Sequence, residues 1–276
     1  MSMFAGAARY YRQYRPGIPA EAVRLLRSEA GRLAPARRLL DLGTGTGQVP
    51  AALHGHLREI DAVEPDAHMV AQADMTLRPL LAEDATLRLH NQRAESFGPP
   101  YPGWRADLVT ICRAFHWMDQ PTLLTALDSY VADTGVVAVM GDGSLWTARS
   151  PWTDALRELI QRHLGKQRRA GDQTFAHHNR PYAEVLADST FSRVREVLIP
   201  LQRVWTPEEV IGYLYSTSFA ARHLFGERIE EFEAAATDLL EEFARGGPLL
   251  EHVEFQVLLA RRGPSASTPP ASPRNA

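Results

Sequence analysis

Short apolar runs alternate with amphipathic segments along the first half of the chain. The apolar runs predict strands at residues 38–42, 60–63, 86–90, 107–112 and 136–140. The amphipathic segments predict helices at 20–32, 49–57 and 122–131, and a further helix that begins at 67–73. Because strands and helices alternate, we expect a parallel sheet that is covered by helices on both faces.

The pattern changes after Met140. Helices are predicted at 151–164, 207–215 and 227–243, and two further strands at 193–201 and 252–260. Two strands that are separated by a long helical segment indicate a sheet edge with a helical insertion. The whole chain is therefore predicted to be an α/β fold with a seven-stranded, mostly parallel sheet and a helical cap.

Composition and charge narrow the class of protein. The chain has 276 residues, and its 30 basic and 33 acidic residues give a formal net charge of −3. A nucleic-acid binder usually shows a basic excess, which this chain lacks. Cys112 is the single cysteine, which fits a reducing compartment. With no apolar core of a signal peptide and no run of about 18 apolar residues, we expect a cytoplasmic protein that binds neither nucleic acid nor membrane.

A glycine-rich loop follows the first predicted strand. Residues 41–47 read DLGTGTG, so that Gly43, Gly45 and Gly47 alternate with other residues. Glycines permit positive φ and allow a ligand to approach the backbone, and the next helix offers free N–H groups. Glu64 comes 21 positions after Gly43, at the end of the second strand, where a carboxylate can bind ribose hydroxyls. A ligand with a ribose is indicated, although the glycines could also form only a tight turn.

The acidic residue in this loop favours one class of ligand. A dinucleotide fingerprint reads G-x-G-x-x-G, whereas the glycines here follow G-x-G-x-G and Asp41 precedes them. A carboxylate at this place repels a pyrophosphate and suits an ammonium group. S-adenosylmethionine has an amine, a sulfonium and a ribose but no phosphate, so the charges favour it over NAD.

Four segments, in the same order along the chain, resemble class I S-adenosylmethionine-dependent methyltransferases. Residues 39–47 (LLDLGTGTG) resemble their first motif. Residues 11–19 (YRQYRPGIP), 93–95 (RAE) and 114–119 (AFHWMD) resemble the small-molecule branch that includes ubiquinone-type and trans-aconitate-type methyltransferases. The resemblance covers about residues 10–140 and implies a Rossmann-like fold with S-adenosylmethionine as cofactor.

The resemblance also implies which residues bind the methyl donor. They are Tyr14, Arg15, Asp41, Gly43, Thr44, Gly45, Gly47, Glu64, Pro65, Met69, Arg93, Ala94, Glu95 and Arg113. Within this set Glu64 would hold the ribose, and Ala94 would offer its N–H group to the adenine edge.

Other side chains are candidates for the chemistry and for the acceptor. His116 is the candidate base, with packing of the pocket floor as an equal alternative, and Asp119 is interpreted as a helix cap. The candidate acceptor-binding residues are Tyr11, Trp117, Trp146, Tyr215 and Phe219. We expect no metal site, because the adjacent His177 and His178 cannot easily share one ion.

The predicted organisation has four parts. Residues 1–141 form a cofactor-binding core, 142–192 a helical segment that lines or caps the acceptor site, 193–262 the last two strands with an inserted cap at about 205–247, and 263–276 a disordered tail.

The predicted function is methyl transfer to nitrogen or oxygen of a small-molecule acceptor, by a monomer or homodimer. Bias towards Ala, Arg and Pro is typical of GC-rich bacteria, where such enzymes serve secondary-metabolite or antibiotic biosynthesis. The alternatives are a nicotinamide-dependent oxidoreductase and a non-catalytic protein that keeps the cofactor fold.

Overall fold

A seven-stranded sheet forms the centre of this computed structural model, which describes residues 6–31, 38–167, 169–170, 173–174 and 180–263. The strands are β1 (Arg38–Leu42), β2 (Glu59–Val63), β3 (Thr86–His90), β4 (Ala106–Cys112), β5 (Val131–Gly141), β6 (Arg169–Ala170), β7 (Gln173–Thr174), β8 (Arg193–Trp205) and β9 (Leu249–Arg261). Seven of them form the sheet in the order β3-β2-β1-β4-β5-β9-β8, while β6 and β7 pair with each other. Strand β9 runs antiparallel to both of its neighbours, β5 and β8, and the other six strands share one direction. The predicted seven-stranded, mostly parallel sheet is confirmed.

Helices surround the sheet. They are α1 (Ala8–Tyr14), α2 (Ala20–Gly31), α3 (Gln48–Leu53), α4 (Ala67–Leu77), α5 (Gln120–Asp128), α6 (Pro151–Leu164), α7 (Tyr182–Ala187), α8 (Pro207–Tyr215) and α9 (Ile229–Arg245). Helices α6 and α8 begin with capping boxes, in which Ser150 and Thr206 accept hydrogen bonds from the third helical residue. Pro151 and Pro207 occupy the first position of these two helices, where proline has no N–H group that would need a partner.

Two buried clusters show that helices cover both faces of the sheet. Side chains of a strand point alternately to opposite faces. In β1, Leu39 therefore shares a cluster with Leu26 of α2, whereas Leu40 shares the other with Leu123 of α5.

A third buried cluster forms the core of the cap. It includes Trp152 of α6, Leu214 of α8 and Phe232 of α9. The segments predicted separately at 142–192 and 205–247 thus contribute to one helical layer. Helix α1 joins this layer through Tyr14, whose ring lies so close to α8 that a Cβ atom on Gly212 would stand 2.3 Å from it.

Several predicted boundaries were wrong. Helix α5 ends at Asp128 instead of 131, because Val131 already pairs with β4 and the register shifts before Val136. Strands β8 and β9 each have 13 residues, since their antiparallel pairing continues from Arg193 to Trp205. Helix α1 and the hairpin of β6 and β7 were not predicted, and that hairpin interrupts the segment expected to be helical.

Two expectations fall outside the described residues, namely the role of His177 and His178 and the disorder of the tail from residue 264 onward. Within the described part of the chain, none of the helices has the length and apolarity needed to cross a membrane.

Candidate functional site

A cavity of about 1050 Å³ opens at the carboxyl ends of the parallel strands. Open α/β sheets bind their ligands at this edge. The loops after β1 to β5 line the cavity, and α1, the start of α7, residues 217–219 and strands β8 and β9 also contribute to its wall. Ligand pockets commonly measure about 300–1,000 Å³, so this cavity has room for a cofactor and a second small molecule.

Most of the predicted donor residues line this cavity. They are Arg15, Gly43, Gly45, Glu64, Pro65, Met69, Arg93, Ala94, Glu95 and Arg113. Among the predicted acceptor residues, Tyr11, Trp117 and Phe219 line it, and so does His116.

The glycine loop needs glycine for geometric reasons. Gly43, Gly45 and Gly47 have φ values of 70°, 55° and 83°, which favour glycine. A Cβ atom on Gly43 would stand 2.5 Å from the Cβ atom of Ala114, which follows β4. Gly47 does not line the cavity and is the N-cap residue of α3. Thr44 is buried inside the loop. The loop thus brings bare backbone to the cavity at Gly43 and Gly45.

Glu64 connects the glycine loop to the end of β2. Its side chain accepts hydrogen bonds from the N–H groups of Gly45 at 3.0 Å and Asp66 at 3.1 Å. Burial raises the pKa of Glu64, and these two bonds oppose the shift. A carboxylate has about four acceptor positions, so Glu64 can still bind a ribose diol in the cavity.

Asp41 lies behind the glycine loop rather than on the cavity wall. Its Oδ1 accepts a hydrogen bond from the Thr110 hydroxyl at 2.5 Å, and the Thr44 hydroxyl also favours the ionised carboxylate. Burial raises the pKa of Asp41 to about 6. Because Asp41 is buried behind the loop, it would favour a ligand ammonium group through its charge and not by direct contact.

Residues 11–19, here called the leader, place an aromatic ring and a cation beside this loop. The Tyr11 ring lies 3.8 Å from the position of a Cβ atom on Gly45. The Arg15 guanidinium lies 5.1 Å from the centre of the Tyr11 ring and 4.8 Å from that of Tyr213, and it donates a 3.0 Å hydrogen bond to the Tyr213 hydroxyl. Its Nε is buried and has no partner within the described ranges. Arg15 is therefore suited to a ligand carboxylate.

The loop after β3 forms part of the cavity wall through Arg93, Ala94 and Glu95. Ala94 is buried, and Arg93 and Glu95 pair beside it at 3.2 Å. Glu95 also accepts a 2.7 Å hydrogen bond from the N–H group of Asp119. Burial alone would raise the pKa of Glu95, but this bond and the pairing lower it overall. As predicted, the Asp119 side chain caps α5, accepting from Thr122 N–H.

Arg113 holds the leader with its side chain. It is the one non-glycine residue with positive φ, 56°, in the part of the chain that the structure describes. Its Nε and Nη2 atoms bind Asp142 at 2.6 and 3.1 Å, and Nη1 donates to the Pro16 carbonyl at 2.9 Å. Such backbone strain is typical of functional sites.

His116 and Trp117 belong to the turn that follows β4. Their rings lie 4.6 Å apart and are tilted by 47°. Phe115 fixes this turn from behind, in an edge contact of 5.1 Å with Tyr182. The imidazole is thus held at the cavity wall near Ala114 and the glycine loop.

Besides Asp41, Thr44 and Gly47 of the glycine loop, three predicted aromatic site residues lie outside the wall, and we reassign these three to packing of the cap. Tyr14 donates a 3.1 Å hydrogen bond to Glu208, and Tyr215 donates one of 2.9 Å to Glu233. Trp146 stands behind the wall, with its ring 5.5 Å from that of Phe219. Each of these aromatic side chains belongs to or packs against the buried cluster of the cap.

Sequence reasoning missed the part of the wall that comes from β8, β9, the start of α7 and the loops near them. Its residues are Ser144, Thr147, Arg180, Pro181, Tyr182, Ala183, Glu196, Leu198, Thr217, Glu254 and Gln256. Gln256 donates a 2.6 Å hydrogen bond to Glu196 on the neighbouring strand. Alternation of polar residues along β8 and β9 was the available signal. Among the described residues, no group of three or more His, Cys, Asp or Glu side chains could hold a metal ion.

Comparison with known proteins identifies the domain. The family described as "Methyltransferase domain" matches residues 39–133. An uncharacterized methyltransferase of Mycobacterium tuberculosis is 29% identical over 162 residues, which cover 58% of this chain and 59% of that protein. The chain thus spans about three-fifths of the length of this relative.

Solved structures share the fold. One, described as a candidate type II methyltransferase from Anaeromyxobacter dehalogenans, has a TM-score of 0.54 and 21% identity, covering 90% of this chain and 98% of that one. The YjhP protein of E. coli has a TM-score of 0.53 and 13% identity, covering 95% and 99%. Residues 39–133 are therefore similar to a methyltransferase domain, and the fold of the chain is that of the solved methyltransferase structure. S-adenosylmethionine is the cofactor of the class I methyltransferases that the chain resembles.

Proposed function

We propose that the protein transfers a methyl group from S-adenosylmethionine to a nitrogen or oxygen atom of a small-molecule acceptor. The observation that carries this proposal is the continuity of one cavity. It extends from the glycine loop and Glu64 to an aromatic region that includes Trp117, Tyr182 and Phe219. Donor and acceptor can therefore bind side by side.

The residues of the donor half match the groups of the cofactor one by one. Glu64 would bind the ribose, and Pro65 and Met69 would pack on the adenine. Asp41 would balance the ammonium group, and Arg15 would bind the carboxylate. S-adenosylmethionine supplies a methyl group on an activated sulfonium, so the protein contributes mainly proximity and alignment.

His116 is the proposed base. A hydroxyl acceptor must lose its proton, and an amine must arrive unprotonated. Imidazole ordinarily titrates near neutral pH, and His116 lines the cavity just after Ala114, which packs on Gly43.

The far half of the cavity favours an acceptor that combines a flat apolar part with an amine. Tyr182 and Phe219 offer aromatic surface, and Glu196 and Glu254 add carboxylates. Arg180 adds little opposing charge, because Asp188 binds it at 2.6 Å. This balance supports N-methylation ahead of O-methylation.

Composition supports the wider setting of the proposal. A cytoplasmic, bacterial enzyme of secondary-metabolite or antibiotic biosynthesis, acting as monomer or homodimer, fits the Ala, Arg and Pro bias and the single cysteine.

A direct screen tests this function. Purified protein is incubated with S-adenosylmethionine and a panel of aromatic and alicyclic amines, alcohols and carboxylates, and S-adenosylhomocysteine release is measured. We expect turnover with amines and its loss in Glu64→Ala. Release with none of the acceptors, from a protein that nevertheless binds S-adenosylhomocysteine, would support the non-catalytic alternative.

A further inference from the structure

Four charged side chains form a continuous row of ion pairs beside the carboxyl end of β5, where Asp142 follows the strand. Asp142 pairs with Arg113 on one side and with Arg203 on the other. Arg203 Nη1 then lies 3.4 Å from Glu251 Oε2, which accepts a 3.0 Å hydrogen bond from the indole N–H of Trp205. The side chains of Asp142 and Glu251 are 4% and 3% exposed. Asp142 is therefore a carboxylate at the cavity wall that is almost fully buried between two guanidinium groups.

Both ends of this row of ion pairs are connected to Arg15 of the leader. At one end, Arg113 Nη1 donates to the Pro16 carbonyl and, at 3.3 Å, to Gln48 Oε1. Gln48 in turn donates a 3.3 Å hydrogen bond to the Arg15 carbonyl. At this end, the backbone of residues 15 and 16 is thus fixed by side chains that depend on Asp142.

The other end fixes the Arg15 side chain. The Trp205 ring lies 5.3 Å from the Tyr213 ring, in an edge contact. The Tyr213 hydroxyl accepts the 3.0 Å hydrogen bond from Arg15, and the Tyr213 ring also lies against the guanidinium. The contacts therefore form a closed circuit that begins and ends at Arg15.

We propose that Asp142 is a positioning residue, which through Arg113 and Arg203 holds Arg15 where it can bind the carboxylate of the methyl donor. This inference rests on the proposed function. Removal of the Asp142 charge would leave two buried guanidinium groups facing each other, and they would repel. Arg113 would then lose its hydrogen bond to the Pro16 carbonyl. Arg203 would shift the Glu251–Trp205 pair, on which the Tyr213 ring packs.

Two ligands distinguish a role of Asp142 in positioning Arg15 from a general role in folding. S-adenosylhomocysteine has the amino-acid carboxylate, whereas 5′-methylthioadenosine keeps the adenosine part and lacks the amino-acid group. Titration calorimetry measures both affinities in wild type, Asp142→Asn and Arg15→Met. In Asp142→Asn we expect the S-adenosylhomocysteine affinity to fall at least tenfold and the 5′-methylthioadenosine affinity to change less than twofold. The Asp142→Asn/Arg15→Met double variant is measured as well, and its loss of S-adenosylhomocysteine affinity is expected to be no larger than that of Arg15→Met alone.

Glu29 provides the matched control. It too is a carboxylate, 4% exposed, that pairs with two arginines, Arg195 and Arg261, but it lies on α2 outside the cavity. Glu29→Gln is expected to lower the melting temperature and to leave both affinities unchanged. If Asp142→Asn does not fold, Arg203→Met serves in its place, with the same selective loss expected.

Two results would overturn the positioning role. One is an equal loss of affinity for both ligands in Asp142→Asn, and the other is additive losses of S-adenosylhomocysteine affinity in the double variant. A wild-type protein that binds neither ligand would instead contradict the proposed function itself.

Discussion

The pH dependence of donor binding reports directly on Asp41. Burial raises the pKa of Asp41 to about 6 in the ligand-free protein, and the ammonium group of a bound ligand would favour the ionised carboxylate. At pH 5 only about one-tenth of the molecules would have Asp41 ionised, so binding must first remove its proton. One pH unit below the pKa costs about 1.4 kcal/mol, which is a factor of about ten in affinity. We therefore predict that S-adenosylhomocysteine binds about tenfold more weakly at pH 5 than at pH 8.

The comparison with Asp41→Asn isolates this effect. The pKa of Glu64 is also raised, so wild type alone would mix the titration of two carboxylates. Asparagine keeps the size and an acceptor for the Thr110 hydroxyl but cannot ionise. Calorimetric titrations from pH 5 to pH 8 should show weaker binding at pH 8 and a flatter profile in the variant. Parallel profiles for the two proteins would refute an interaction between Asp41 and the ligand amine.

Further substitutions test other parts of the structure. Glu64→Ala removes charge-assisted hydrogen bonds worth about 1.5–3 kcal/mol, so the dissociation constant for S-adenosylhomocysteine should rise at least tenfold, and unchanged calorimetry would exclude the ribose role. His116→Ala should lower initial rates across pH far more than it lowers donor affinity, whereas a packing residue would leave turnover intact. Gly212→Ala places a methyl group on the Tyr14 ring and should destabilise the fold by about 1–3 kcal/mol in urea unfolding, whereas Gly17→Ala meets no atom within 4 Å and should not.

The donor half of the site could be predicted from the sequence because its chemistry depends on the backbone. A strand that enters a loop with alternating glycines allows few geometries, and an acid at the next strand end faces that loop. The structure accordingly places Gly43, Gly45 and Glu64 on one cavity wall.

The acceptor half and the cap could not be predicted in the same way. Which face of α1 meets the cavity depends on contacts distant in sequence, so that Tyr11 lines it while Tyr14 packs on Gly212. Glu196 and Glu254 come from two outer strands, and no local motif marks the pair. The β-propensity of the sequence predicted the central residues of β8 and β9, but the ends of these strands depend on their antiparallel pairing with each other.

The identity of the cofactor can be measured most directly by isothermal titration calorimetry of the purified protein with S-adenosylhomocysteine and, separately, with NAD⁺. The glycine spacing, the buried Asp41 carboxylate behind the loop and Arg15 beside it predict saturable binding of S-adenosylhomocysteine at one site per chain and no binding of NAD⁺. Binding of NAD⁺ without binding of S-adenosylhomocysteine would contradict the assignment.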